Sequence, residues 1–159
     1  MALKHKYSTT TTTVVSLAAT LSNGANTYTG LANCTMNSLD NSTDKYPHCR
    51  FVLDIPDTFS AAPTAGSTVN LYMTVNNVDG TNDETPVPGA TDVINNATYV
   101  GSFKLDNQDV ATRKAIFVQD ILFGVESADF YIENQSGVTL SYSSGAITVK
   151  ATPFTMEDA

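Results

Sequence analysis

The stretch Thr68–Asn76, "TVNLYMTVN", alternates apolar and polar residues without a break. Val69, Leu71, Met73 and Val75 fall on one face of an extended chain, and Asn70, Tyr72, Thr74 and Asn76 on the other. Successive side chains of a strand point to opposite sides, so the pattern predicts a half-buried β-strand whose four apolar residues belong to the core. The strand runs into "NVDGTNDETPVPGA", a polar, acidic segment containing Pro86 and Pro88.

The same period of two recurs along the chain. In "CRFVLDIP" Phe51, Leu53 and Ile55 share a face, and in "TYVGSFKLD" Tyr99, Phe103 and Leu105 do so with Gly101 between them. "KAIFVQ" sets Ile116 and Val118 against Phe117, "DFYIEN" sets Phe130 and Ile132 against Asp129, Tyr131 and Glu133, and "AITVKAT" sets Ile147 and Val149 against Thr148 and Lys150. "TTTTVVSLAAT" reads as a further strand near the N-terminus. Turn-forming clusters separate these runs at 22–26, 63–67, 78–82, 86–90, 134–137 and 143–145. No stretch has the three-to-four-residue period of an amphipathic helix; "NQDVATRKA" offers one turn at most.

About eight short strands without helices predict an all-β protein, a single β-sandwich whose favoured form is a jelly roll. Residues 1–15 read as an extended arm and first strand, and 16–159 as the sandwich. Composition agrees. Charged residues make up only 15% of the 159-residue chain, against roughly 25% in an average soluble domain. Thr, Ser and Asn supply the remaining polarity, and the branched Cβ of Thr fits a pleated surface.

The net charge is −8, from 16 acidic and 8 basic residues. Phosphate backbones and anionic membranes are attracted by clustered Lys and Arg, which argues against nucleic acid and lipid as partners. No run reaches the roughly 18 apolar residues of a transmembrane helix. "VVSLAA", interrupted upstream by Thr9–Thr13, is too short for a secretory core, so no signal peptide is expected.

The candidate sites each have a plainer reading. Asp79, Asn82, Asp83 and Glu84 offer oxygens to a hard cation, but Gly80 and Thr81 break the spacing of a calcium loop, and a solvated turn is favoured. Cys34 and Cys49 could close a disulfide, although free thiols are favoured. A zinc site from Cys34, His48 and Cys49 is opposed by strand alternation, which points His48 and Cys49 to opposite faces. Nucleophilic catalysis would need one of the only two histidines, His5 or His48, beside a nucleophile, and no nucleophile-elbow motif is present. Asp54, Asp57, Asp129 and Glu133 are the carboxylates that could form a glycosidase pair, but they occupy positions where outward charges normally lie. The N-x-[ST] matches at Asn33, Asn41, Asn96 and Asn134 are expected by chance in so Asn-, Ser- and Thr-rich a chain. Of the tyrosines at 28, 46, 72, 99, 131 and 142, Tyr72 and Tyr131 lie on the polar faces of their strands and are the best clue to a binding surface. No catalytic, cofactor or metal residues are therefore assigned.

The order of these features resembles small β-sandwich virion proteins of tailed bacteriophages. A Thr/Ser-rich first strand leads to "TLSNGA", followed by "FVLDI", "STVNLYMTVNNVDGTN", "TPVPGA" and the closing "DFYIENQSGVTLSYSSGAITVKATPF". The resemblance runs from about residue 10 to residue 155, and Cys34 and Cys49 are no part of it. It implies a non-enzymatic capsid decoration protein without cofactors, made in the host cytoplasm and carried on the capsid surface. Its expected partners are the major capsid protein and copies of itself, with a trimer as one form of homo-oligomer. The alternatives are a tail or baseplate component, and a carbohydrate-binding or host-adhesion module using Tyr72, Tyr131 and the 78–90 loop. Lys4, His5 and Lys6 form the one basic cluster, which suits an arm reaching an acidic surface.

Overall fold

The protein is described by a computed structural model over residues 3–17, 20–24, 34–36, 39–55, 61–75, 98–106, 117–122, 127–140 and 147–158. Ten strands occur there: β1 (Leu3–Tyr7), β2 (Thr12–Leu17), β3 (Cys34–Met36), β4 (Leu39–Asp40), β5 (His48–Asp54), β6 (Thr68–Val75), β7 (Thr98–Lys104), β8 (Phe117–Leu122), β9 (Ser127–Gln135) and β10 (Thr148–Asp158). They form two antiparallel sheets. One has the order β3-β2-β10-β5-β8, with β1 also paired to β10; the other has the order β4-β9-β6-β7.

Without β1 and β3, the two sheets are β2-β10-β5-β8 and β4-β9-β6-β7. Eight strands that cross repeatedly between facing sheets in this order make a jelly roll, the form expected from the strand pattern. The chain thus adds two strands to the eight: β3 extends one edge, and β1 prolongs the line of β2 along β10.

The alternation read in the sequence becomes the core. Phe51, Leu53 and Ile55 from β5 and its end, Val69 and Leu71 from β6, Phe130 and Ile132 from β9, and Ile147 and Val149 around the start of β10 are all buried. Phe51 and Phe130 meet across the two sheets at 5.1 Å and 53°, a tilted aromatic contact worth about 0.5–1.5 kcal/mol beyond the area it buries.

Two expectations fail, both at strand features with a physical cause. Val75 was expected in the core but is 36% exposed at the last position of β6, with Met73 only packed against the core's rim. Tyr99 was expected beside Phe103 but is 54% exposed. The register passes from Leu71–Gly101 to Tyr72–Tyr99, so Val100 is an extra residue that reverses the faces of the strand beyond it. A second bulge explains why Val14 and Val15, neighbours in sequence, are both buried: Thr13 pairs with Lys150 and Val15 with Val149.

One corner is fastened by buried polar groups. The Asn134 amide donates to the carbonyls of Leu21 and Val138, while Ser136 donates to Asn134 Oδ1. Gly137 follows at φ +82, where any Cβ would collide with the Thr64 side chain, so glycine alone fits.

Candidate functional site

Strand parity gives the sandwich two outer faces. On the sheet containing β6 and β9, the outward residues form three cross-strand pairs: Asn70 with Glu133, Tyr72 with Tyr131, and Thr74 with Asp129. The structure thus places Tyr72 and Tyr131 opposite one another. Yet Tyr131 is fully buried, as is Thr74, and Asn70 and Glu133 are nearly so. The expectation of an open tyrosine surface is corrected accordingly: Tyr131 cannot offer its ring to a ligand.

Hydrogen bonds account for the burial of so much polarity. Asn70 Nδ2 and the Tyr72 hydroxyl both donate to Glu133 Oε2, at 2.9 and 3.1 Å. Ser102 donates its one hydroxyl hydrogen to Asn70 Oδ1 at 2.6 Å. It therefore accepts from Tyr99, 2.6 Å away. The donors run in one direction, from the exposed Tyr99 to the buried Glu133 carboxylate. Thr74 and the Tyr131 hydroxyl share a separate bond of 2.7 Å. Satisfied in this way, the network avoids the penalty of buried unpaired groups.

The other outer face, on β5 and β10, is built from rings and cations. Phe154 points away from the core, yet is buried because His5 stacks on one side of it (4.7 Å, 28°) and His48 on the other (5.1 Å, 22°). Tyr7 tilts against Phe154 at 5.1 Å and meets the His5 ring edge-on. Arg50 lies over the Tyr7 ring with Cζ 4.1 Å from its centre, a geometry in which the ring quadrupole attracts the cation. His5 Nδ1 is hydrogen-bonded to the Tyr7 hydroxyl at 2.8 Å. Nothing in the sequence marked this cluster, because His5 and Tyr7 reach Phe154 only through the pairing of β1 with β10.

That pairing continues past the body of the sandwich. β5 ends at His48 opposite Phe154, whereas β1 follows β10 to Asp158. The result is a two-stranded ribbon of Leu3–Tyr7 and Phe154–Asp158. One face carries Leu3, His5, Tyr7, Phe154, Met156 and the exposed Asp158; the other carries Lys4, Lys6, Thr155 and Glu157. Leu3 is 63% exposed and Met156 43%. Lys6 donates to Glu157 Oε1 at 2.7 Å. This hydrogen bond first, and the charge of Glu157 second, hold the ammonium above the ordinary lysine range.

The remaining candidates are not brought together. Asp129 and Glu133 share a face but stand four residues apart, about 13 Å along the strand, farther than the roughly 5–9.5 Å of glycosidase pairs. Asp54 belongs to the other sheet, where it binds Lys150 at 2.9 Å. Cys49 is buried, and its thiol donates to the Arg50 carbonyl at 3.8 Å. The strands of Cys34 and Cys49 are separated by β2 and β10, roughly 14 Å against the 7 Å limit of a disulfide. Among the described residues no group of three or more His, Cys, Asp or Glu is placed to hold a metal ion.

Asn41 and Asn134 are buried, and their amides serve the protein itself; Asn41 closes the β4–β5 connection by bonds to both main-chain groups of Tyr46. A polar cleft of about 210 Å³ lies between the β1–β2 break and this connection, lined by Ser8, Thr10, Thr12, Asp40, Asp44 and Tyr46. It is smaller than the cavities that enclose most small molecules, about 300 Å³ and upward. The acidic segment with Asp79, Asn82, Asp83 and Glu84, the rest of the 78–90 loop, Asp57, Asn33, Asn96, Tyr28, Tyr142 and the side chains of Cys34, Phe117 and Val118 lie outside the described residues. Comparison with known proteins finds no matching family model, curated protein or solved structure.

Proposed function

We propose that this protein is a non-enzymatic structural component of a virion, a decoration protein that binds and stabilises the capsid shell of a tailed phage. The observation that carries the reading is the ribbon of β1 and the end of β10, which extends beyond the sandwich with exposed Leu3 and Met156 beside aromatic rings on one face and Lys4 with the Lys6–Glu157 pair on the other. Exposed apolar surface of this kind marks a contact with another macromolecule. The jelly roll supports the reading as analogy only, since the architecture recurs in viral capsid and lectin domains alike.

The mechanism is mechanical. Copies bound to the major capsid protein and to one another at subunit contacts add interface area, which opposes expansion of the shell under the pressure of the packaged genome. The acidic remainder of the chain repels like surfaces and limits contact to the ribbon and its flanking cluster. Gold labelling of intact particles tests the assignment. Many copies spread over the head are expected; a few copies confined to the tail would replace it with the tail or baseplate reading.

A second reading rests on one specific observation. Tyr99 is exposed, contacts Tyr72 edge-on at 5.6 Å and heads the hydrogen-bond chain to Glu133. An aromatic ring beside fixed polar groups is what a glycan-binding face requires. Loss of glycan or cell binding in a folded Tyr99→Ala variant would favour host adhesion over decoration.

A further inference from the structure

We infer that the terminal ribbon joins copies of this chain head to tail: β1 of one copy adds to the free edge of Thr155–Asp158 in the next. Past Phe154, β10 has β1 on one side and no strand on the other among the described residues. The phase of the hydrogen bonding is fixed by Ser8, whose N–H donates to the Pro153 carbonyl at 2.7 Å. Main-chain groups of successive residues point to alternate sides, so Thr155 and Glu157 face β1 while Met156 and Asp158 aim theirs outward. By the same alternation Lys4 and Lys6 bond to β10, and Leu3 presents its main chain to the outer side of β1. Such edges pair readily with a further strand.

Charge selects which edges meet. β1 carries Lys4 and Lys6; the free edge of β10 carries Glu157 and Asp158. Within the chain Lys4 already stands opposite Glu157, and Lys6 reaches the same carboxylate. Repeating that antiparallel register between copies repeats the same attractive pairs. Two β1 strands paired about His5 would instead set Lys4 against Lys6 twice. Two β10 edges would bring their acidic residues together. Like charges on facing strands are destabilising, so the contact joins unlike edges. In that register Leu3 of one copy faces Asp158 of the next and lies diagonal to Met156, so the contact covers the two most exposed apolar side chains of the ribbon. A contact between unlike edges propagates, and closure by rotation gives a ring of copies.

The inference goes beyond shell binding and needs no shell to test, so its failure would leave the decoration reading intact. The full chain alone is measured by native mass spectrometry and light scattering at high micromolar concentration, where an oligomer is expected. Reversing two charges in Lys4→Glu/Lys6→Glu should weaken assembly roughly tenfold, as loss of two cross-strand pairs implies. Adding Glu157→Lys and Asp158→Lys to that variant restores opposite charges within and between copies and should restore the oligomer. Leu3→Pro removes an outward N–H without touching the bonds to β10, and should give a folded monomer by circular dichroism. A monomeric wild-type chain would overturn the inference, as would a Lys4→Glu/Lys6→Glu variant that assembles as tightly as the wild type.

Discussion

The two outer faces of the sandwich obey the same alternation and end in opposite states. On β6 and β9 the outward residues are polar, mostly buried and linked by hydrogen bonds, with Asn70 and Tyr72 sharing one carboxylate oxygen of Glu133. On β5, β10 and β1 they are rings and cations stacked on Phe154, ending at an exposed Leu3 and Met156. Polarity is thus a poor guide to exposure. A polar group tolerates burial where its hydrogens are matched, and an aromatic group stays near the surface where other rings cover it. The first face is a finished structure. The second stops at an open edge, and that is where a partner is to be sought.

Substitutions can break this contrast, and the largest effect is expected at Tyr131. Tyr131→Ala removes a fully buried aromatic and should cost about 3–5 kcal/mol in urea unfolding. Tyr131→Phe, which removes the hydroxyl bonded to Thr74, should cost about 1 kcal/mol. Glu133→Ala comes next: two donors lose their acceptor in a buried setting, for a loss of about 1–3 kcal/mol. If Glu133→Ala proves neutral, the polar face is open to water and the contrast collapses.

On the second face the effects on folding should be small. Tyr7→Ala forfeits the contact with Arg50, about 0.5–1 kcal/mol at a partly exposed site, but should weaken assembly because His5 and Phe154 lose their neighbour. The least effect is expected from titration. The folded pKa of Lys6 lies above its unfolded value, so its contribution is complete below the ordinary lysine range and is lost as pH rises through the folded value. Asp40 has the opposite sign. Hydrogen bonds from the Ser42 hydroxyl and then its N–H lower its pKa, so its contribution is present above the ordinary carboxylate value and is lost as pH falls through the folded one. Titration by NMR should show Ser42→Ala returning Asp40 towards that ordinary value with no change at Lys6.

The inner half of this molecule was legible and the outer half was not. Alternation in β5, β9 and β10 identified Phe51, Leu53, Phe130, Ile132 and Val149 as core because burial on an inward face depends mainly on local period. Tyr99 escaped because a single extra residue, Val100, inverts everything beyond it, and bulges have no reliable mark in composition. The stacking of His5 and His48 on Phe154 escaped for another reason. It depends on pairing residues near the two ends of the sequence, which no local pattern encodes. Tyr72 and Tyr131 were rightly placed on one kind of face, but the sequence carries no statement of what would bury that face.

The position of β10 has a consequence for how the molecule is made. This strand lies between β2 and β5 and also carries β1, so three partners synthesised earlier depend on it. A nascent chain that has not yet reached Thr148 holds β2 and β5 with a vacant place between them. Val14, Val15 and Leu53 then lack the Val149 and Ala151 against which the sheet is completed. Contacts so distant in sequence slow folding and prolong the exposure of apolar surface. The sandwich is therefore sealed by insertion of β10 between β2 and β5, two strands synthesised well before it.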